Sequence, residues 1–367
     1  MKVAFLSTER SSTNKSYHER LHKLAAGLNS LGIQTDFIYF RDMYPGKPAL
    51  LQPISCVMNF KAIQQCDIIH GGDTLGTYVG WPYKLLLKKP IVHDMHGDAF
   101  QDECLFLREQ PWNPWRMFHV IQAGFAELTA SCISDYYICV SEFQIKRLLS
   151  KGIPSAKMEL IRNGVDTSLF YPISKDSNFY FTFCYAGAMQ EYQDIEILLR
   201  AFHKLEINNV RLKIIGFTNK KERLKMQFKS LIKKGVELLD RLPKKELIKH
   251  LALADVLIIP RKNHVCMRYG FPMKFAEYAA MGKPIIVSDV DETSILIKKH
   301  GCGFVYEASN YKSLLVKLRE AIIMSKQSFL EMGKNARRLA IEEFEWKKIA
   351  RKYAIFLKRI LQNHKEF

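Results

Sequence analysis

Between Tyr269 and Asp289 the chain reads Tyr-Gly-Phe-Pro-Met-Lys-Phe-Ala-Glu-Tyr-Ala-Ala-Met-Gly-Lys-Pro-Ile-Ile-Val-Ser-Asp. Pro272 is pre-set for a first helical position, Gly282 suits a left-handed cap and Pro284 forbids continuation, so the punctuation predicts a short helix over Pro272–Met281. Ala276, Ala279 and Ala280 let that helix pack closely. Its start would present free backbone N–H groups and a positive dipole end, an anion site. Lys274 and Glu277 are three apart and share a face. A cation near the helix start and a carboxylate one turn on suit a nucleotide, one for phosphate and one for ribose hydroxyls. The plainer alternative, an exposed Lys–Glu pair on a surface helix, is the one that spacing alone favours.

The elements around this stretch alternate. Val3–Leu6, Gln34–Phe40, Asp67–His70, Ile91–His93 and Tyr136–Val140 are short apolar runs bounded by turn or polar residues, as strands of a parallel sheet should be. Ser16–Leu31 has helical periodicity and stops at Gly32. A second series follows Tyr171-Pro172, with strands at Phe181–Tyr185, Arg211–Ile215, Val256–Ile259 and Ile285–Val287 and a helix at Ile195–Leu205. Strand–helix alternation in two series implies two doubly wound α/β domains. The break from Asn163-Gly164 to Pro172 is the boundary. Lys334–Leu361 reads as one long helical pattern that could cross back to the first domain.

A chain of 367 residues is too long for one such unit and comfortable for two, and 48% hydrophobic with 25% charged residues supports sizeable cores. The apolar stretch at the N-terminus ends at Leu6, too soon for a signal-peptide core, and no run is long enough to span a bilayer. The eight cysteines form no C-x-x-C pair, so free buried thiols in a reducing compartment are expected. The net charge of +18 is uneven along the sequence: Met1–Pro172 has 18 basic and 16 acidic residues, and the rest has 37 and 21. Such a field attracts anions. Nucleic acid is not expected, because the densest basic stretch, Arg211–Lys249, lacks interleaved aromatics. Aromatic, aliphatic and basic residues mix in Gly80–Lys89 and Pro111–Phe118, which suits an anionic membrane surface and a lipid-linked acceptor; core packing is the plainer reading there.

The Tyr269–Asp289 stretch resembles the signature of family-4 glycosyltransferases, retaining enzymes of the GT-B fold. Val140-Ser141, Gly152-Ile153-Pro154, Asn163-Gly164-Val165-Asp166 with Phe170, Ala254-Asp255-Val256 with Ile259-Pro260, and Phe344-Glu345-Trp346 resemble further family motifs in the same order, over nearly the whole chain. The resemblance implies two Rossmann-like domains facing a cleft: an acceptor-side domain over 1–168, a nucleotide-sugar domain over 169–345, and a helix over 346–367 packing back on the first. It implies that Glu277 binds ribose and that His96, in His96-Gly97, meets the transferred sugar or phosphate side. A lone histidine in such a loop is otherwise more often structural. The implied donor-binding set is Gly187, Gly216, Arg268, Tyr269, Gly270, Phe271, Pro272, Met273 and Glu277, with His96 and Lys274 catalytic. On the acceptor side the set is Lys15 and Asp98, with His93 and Asp94 as weaker neighbours.

Three departures from the family pattern stand out. The glycine pair of the first loop falls near Lys15-Ser16. The cations that grip the diphosphate fall on Ala188 and Gln193, and the first of two glutamates falls on Tyr269. The lost cations shift phosphate binding to Lys274, with Arg268, Arg261 and Lys15 in reserve. What the resemblance implies is transfer from a nucleotide sugar, UDP- or GDP-linked, to a saccharide or lipid-linked acceptor in cell-surface polysaccharide or glycoconjugate synthesis. No metal and no other cofactor is expected, and the place is the cytoplasm, at the inner face of the membrane. The alternative the departures raise is a pseudoenzyme that binds a nucleotide or a partner without turnover.

Overall fold

The computed structural model describes residues 1–8, 16–40, 56–97, 100–101, 103–104, 107, 112–173, 180–190, 192–217, 226, 228–232 and 234–365. The chain divides into two compact units, Met1–Arg162 with Trp346–Phe367, and Asn163–Glu345. The first break precedes the expected 168/169. The reason is local: Asn163 Nδ2 donates to Phe271 O (2.5 Å) and Val165 N to Phe344 O (2.7 Å), so these residues already belong to the second unit.

Unit 1 runs β1 (Lys2–Ser7), α1 (Ser16–Asn29), β2 (Gln34–Tyr39), α2 (Cys56–Gln64), β3 (Ile68–Gly71), α3 (Thr74–Tyr78), α4 (Trp81–Leu87), β4 (Ile91–Met95), α5 (Pro114–Ile133), β5 (Tyr136–Cys139), α6 (Glu142–Ser150) and β6 (Met158–Leu160), and is completed by the C-terminal helix Trp346–Lys365. Its strands pair in parallel in the order β2-β1-β3-β4-β5-β6. Val3, Ala4, Phe5 and Leu6 are all fully buried, because helices cover both faces of such a sheet. The C-terminal helix buries Ile349, Ala350, Tyr353, Leu357 and Ile360, and it meets α1 where a Cβ on Gly27 would lie 2.3 Å from that of Ala350.

Unit 2 runs β7 (Phe181–Ala186), α7 (Ile195–His203), β8 (Val210–Phe217), β9 (Val236–Asp240), α8 (Lys244–Leu253), β10 (Val256–Ile259), α9 (Val265–Tyr269), α10 (Met273–Ala280), β11 (Ile285–Ser288), α11 (Glu292–His300), β12 (Gly303–Tyr306), α12 (Tyr311–Ile323) and α13 (Lys326–Leu339). The parallel order is β12-β11-β10-β7-β8-β9, so the winding reverses between β7 and β10. The pattern expected as one helix over Lys334–Leu361 is interrupted. A π-helical turn at Ala340–Phe344 is followed by extended Glu345, whose carboxylate accepts the Thr167 hydroxyl and, at 3.3 Å, the Thr167 N–H.

Because the C-terminal helix belongs to unit 1, the charge is not concentrated in unit 2. Each unit carries +9, from 25 basic and 16 acidic residues in unit 1 and 30 and 21 in unit 2. Among the described residues no helix is long and apolar enough to cross a membrane. Cys66, Cys139, Cys184 and Cys302 carry free thiols, and burial pushes those of Cys139, Cys184 and Cys302 up to about 12.

A buried polar network ties unit 1 together. Asp94 of β4 takes a two-point contact from Arg20 of α1, Nε to Oδ2 and Nη2 to Oδ1, each 3.0 Å. Arg20 also donates to the carbonyls of Ile161 and Arg162, both at 2.8 Å, and so holds the end of the unit against α1. His70 Nε2 lies 3.6 Å from Asp94 Oδ2, and His70 Nδ1 is 2.6 Å from the Tyr353 hydroxyl. Burial lowers the His70 pKa, so the ring is neutral and Nδ1 accepts from Tyr353. Burial acts to raise the Asp94 carboxyl, but Arg20, with His96 and His70, holds it well below the usual range. Asp94→Asn should therefore cost about 3–5 kcal/mol, because it leaves Arg20 buried without its counter-charge. Urea unfolding near neutral pH checks the value. The Asp94 contribution is complete above the unfolded carboxylate pKa of about 3.9 and fades as pH falls below it, so the gap between wild type and variant should narrow in acid.

Candidate active site

Open α/β sheets bind ligands beyond the carboxyl ends of the strands, where the winding reverses. In unit 2 that place is the end of β7. Gly187 follows β7 and its N–H donates to Ile215 O of β8 at 2.9 Å. Gly216 has φ +120°, and a Cβ there would lie 2.2 Å from Gly187 O. The two backbones touch, and only glycine fits at 216. A Cβ on Gly187 would in turn lie 2.3 Å from Lys274 Nζ. The ammonium of Lys274 thus rests on bare backbone.

Helix α10 delivers it there. Tyr278, one turn after Lys274, accepts the Ala186 N–H (2.7 Å) and donates to Ala186 O (3.1 Å), and so fastens the helix to the end of β7. Lys274 Nζ donates to the Tyr185 hydroxyl (3.1 Å) and sits 4.3 Å from the centre of that ring, a cation–π contact. The Tyr185 hydroxyl in turn donates a hydrogen bond to Ala188 O (2.9 Å). The Lys274 side chain as a whole is half-buried, but its ammonium end is stripped of water. That desolvation, with repulsion from Arg261 and partial relief from Glu277, brings its pKa down to about 7.

The helix itself is shorter than its punctuation indicates. Pro272 is the N-cap and supplies no side-chain cap, the helix spans Met273–Ala280, and Met281 is the C-cap, with Gly282 left-handed at φ +63°. The first-turn N–H groups at Met273 and Lys274 therefore have no side-chain cap. Glu277 is half-buried, one turn along. Phe271 presents backbone rather than side chain: its ring packs with Phe275 and Phe344, and its carbonyl accepts from Asn163. Gly270 ends α9, on which Arg268 is exposed and Tyr269 half-buried.

Arg261, a reserve cation in the sequence reading, is committed elsewhere. It pairs with buried Asp291, which also caps α11 through Thr293 N (2.9 Å). Its Nε and the Oε1 of neighbouring Gln193 are buried without partners, at the bridge between the segments that follow β7 and β10.

In unit 1 the winding reverses between β1 and β3. His96, just past β4, places Nε2 3.0 Å from Gly72 O beyond β3, and 3.5 Å from Asp94 Oδ2. His93 faces the other side of the sheet, both ring nitrogens buried without partners, and burial brings its pKa to about 4, so it is neutral. Lys15 and Asp98 lie outside the described residues. Lys274, Glu277, Gly187, Gly216, Pro272 and Met273 thus gather at the end of β7, while His96 lies one strand past the reversal in unit 1, beyond β4 and against Gly72 after β3. Reasoning from the sequence missed Tyr185, Tyr278, Arg20, His70 and Tyr353. Tyr278 alone carried a local signal, since it follows Lys274 at helical spacing.

Two family models cover most of the chain. "Glycosyltransferase Family 4" matches residues 19–169 and "Glycosyl transferases group 1" matches residues 173–339. An uncharacterized glycosyltransferase of Methanocaldococcus jannaschii is 20% identical over 286 residues, 75% of this chain and 69% of that one. Sucrose-phosphate synthase from Thermosynechococcus elongatus superposes with a TM-score of 0.80 at 17% identity, over 99% of both chains. Anabaena HepE, in complex with UDP and glucose, superposes with a TM-score of 0.73 at 16% identity, over 98% of this chain and 99% of that one. The two sheets, their winding and the two family matches together make this chain a divergent member of the family-4 glycosyltransferases, with the GT-B fold.

Proposed function

We propose that the chain is a retaining transferase that moves a sugar from a UDP- or GDP-linked donor to a saccharide or lipid-linked acceptor. Its setting is the synthesis of cell-surface polysaccharide or glycoconjugate, in the cytoplasm at the inner face of the membrane. The observation that carries the donor side is the Lys274 ammonium, stationed on Gly187 at the winding reversal of unit 2, with Glu277 one turn on. The UDP and glucose bound to Anabaena HepE support a nucleotide sugar as donor.

Lys274 and the uncapped start of α10 meet the diphosphate, and Glu277 takes the ribose hydroxyls. No metal ion is needed in this reading, so chelation should leave turnover intact. The bond between the anomeric carbon and the leaving phosphate oxygen breaks. The acceptor oxygen bonds to the same face of that carbon, and its proton passes to the departing phosphate. Protonated Lys274 neutralises the charge that grows on the phosphate, and His96 is assigned to the sugar end. The second reading, a nucleotide-binding pseudoenzyme, is favoured by the engagement of Arg261 with Asp291, which takes a cation out of reserve. Nucleotide-sugar binding with neither transfer nor slow hydrolysis would select it.

Two outcomes follow. A nucleotide sugar carries a diphosphate that does not titrate near neutrality, so its affinity reports on Lys274. Binding an anion favours the protonated lysine. Affinity should therefore fall as pH rises through about 7, by up to about tenfold per unit above it. Calorimetric titration at several pH values checks this, and Lys274→Met should abolish the dependence and lower kcat on the order of a hundredfold. Glu277→Ala should weaken nucleotide-sugar binding by about ten- to a hundredfold, as lost charge-assisted hydrogen bonds do, with an unchanged melting temperature in the absence of ligand.

A further inference from the structure

Helix α5 is built inside out. Pro114, Phe118, Ile121, Phe125, Leu128 and Cys132 recur every three or four residues and so share one face. All six are exposed, Ile121 at 67% and Leu128 at 65%. The residues α5 buries are Gln122, Ala123, Ala126 and Ala130. A helix that served only its own core would turn its large apolar side chains inward. Trp112, 93% exposed, and Trp115 stand at its N-terminal end. Helix α4 packs against α5 and adds exposed Trp81, Leu85 and Leu86. An apolar surface of this extent, contributed by two neighbouring helices, marks an interaction site.

The charges around it select the partner. Exposed Lys88 and partly exposed Lys89 follow α4, His119 stands beside the α5 stripe, and Arg116 next to it lies 3.9 Å from Glu103. Helix α4 has no acidic residue, and the one acid of α5, Glu127, is half-buried 3.7 Å from Arg147. Unit 1 as a whole carries +9. An apolar centre with tryptophans at its end and bases at its border complements an anionic lipid surface. Two copies of the chain meeting through this face would set bases against bases.

We propose that the exposed face of α5, with α4 beside it, inserts into the headgroup layer of an anionic bilayer. The inference deepens the membrane side of the proposed function and is independent of donor binding. It places a lipid-linked acceptor within reach of the unit that carries His96.

The test uses the full chain with vesicles of phosphatidylcholine and phosphatidylglycerol, against vesicles of phosphatidylcholine alone. Flotation should recover the protein with the anionic vesicles only, less so as salt is raised. Ile121→Gln/Phe125→Gln/Leu128→Gln should lower the partition coefficient about a hundredfold, and Lys88→Glu/Lys89→Glu by about tenfold. Each variant should keep the wild-type melting temperature and its shift with UDP. Wild type that ignores both vesicles, or a triple variant that still floats like wild type, overturns the proposal. So does a lipid-free dimer that the triple variant converts to monomer. Flotation without any UDP shift would instead sustain the membrane face and sink the donor reading.

Discussion

The site proposed here for the donor depends on one tyrosine hydroxyl. Tyr278 holds both backbone groups of Ala186, the last residue of β7, and so fixes the rotation and height of α10 against the sheet. From that single attachment Lys274 is carried over Gly187, the helix start is aimed beyond the strand end, and Glu277 falls one turn behind. Burial raises the Tyr278 pKa well above its ordinary value, so the hydroxyl keeps its proton and its role as donor and acceptor across the working pH range. The glycines at 187 and 216 are the complement of this attachment. They clear the space that the helix then fills with a cation.

What results is a cation kept in reserve. A solvated lysine would be fully charged near neutrality but screened by water. Lys274 has given up part of its hydration for a tyrosine face and a hydroxyl, and its proton is only loosely held. In the proposed function, an arriving diphosphate would restore the charge where it is worth most, in a site with little water. Unit 1 uses a buried charge differently. Asp94 is paid for by Arg20 and serves as a fixed anchor, against which α1, the segment after β6, His70 and His96 are all set.

The helix at Pro272 was legible because its signals are local: a proline, a glycine and a second proline at the right spacing, with Lys274 and Glu277 one turn apart. The alternation of strands and helices was legible for the same reason, since β-branched runs and helical periods show within a few residues. What the sequence did not disclose are meetings between distant positions. Tyr185 and Lys274 are 89 apart, Arg20 and Asp94 74 apart, and His70 and Tyr353 283 apart. Arg261 looked available as a phosphate ligand because its partner Asp291 lies 30 residues on, at the N-cap of α11. The long terminal pattern looked continuous because Glu345 carries no helix-breaking signal, and the break follows from contacts of Phe344 and Glu345 with Val165 and Thr167. The inverted face of α5 has the periodicity of a core helix, and which side faces inward is decided by the small residues it packs, not by the period.

The central claim is that Lys274 and Glu277 receive a nucleoside diphosphate at the end of β7. A crystal structure of the chain with UDP tests it most directly. The account predicts the diphosphate over Gly187 at hydrogen-bond distance from Lys274 Nζ and from the first N–H groups of α10, with the ribose hydroxyls on Glu277. A nucleotide bound elsewhere in unit 2, with its phosphates away from Lys274, would contradict it.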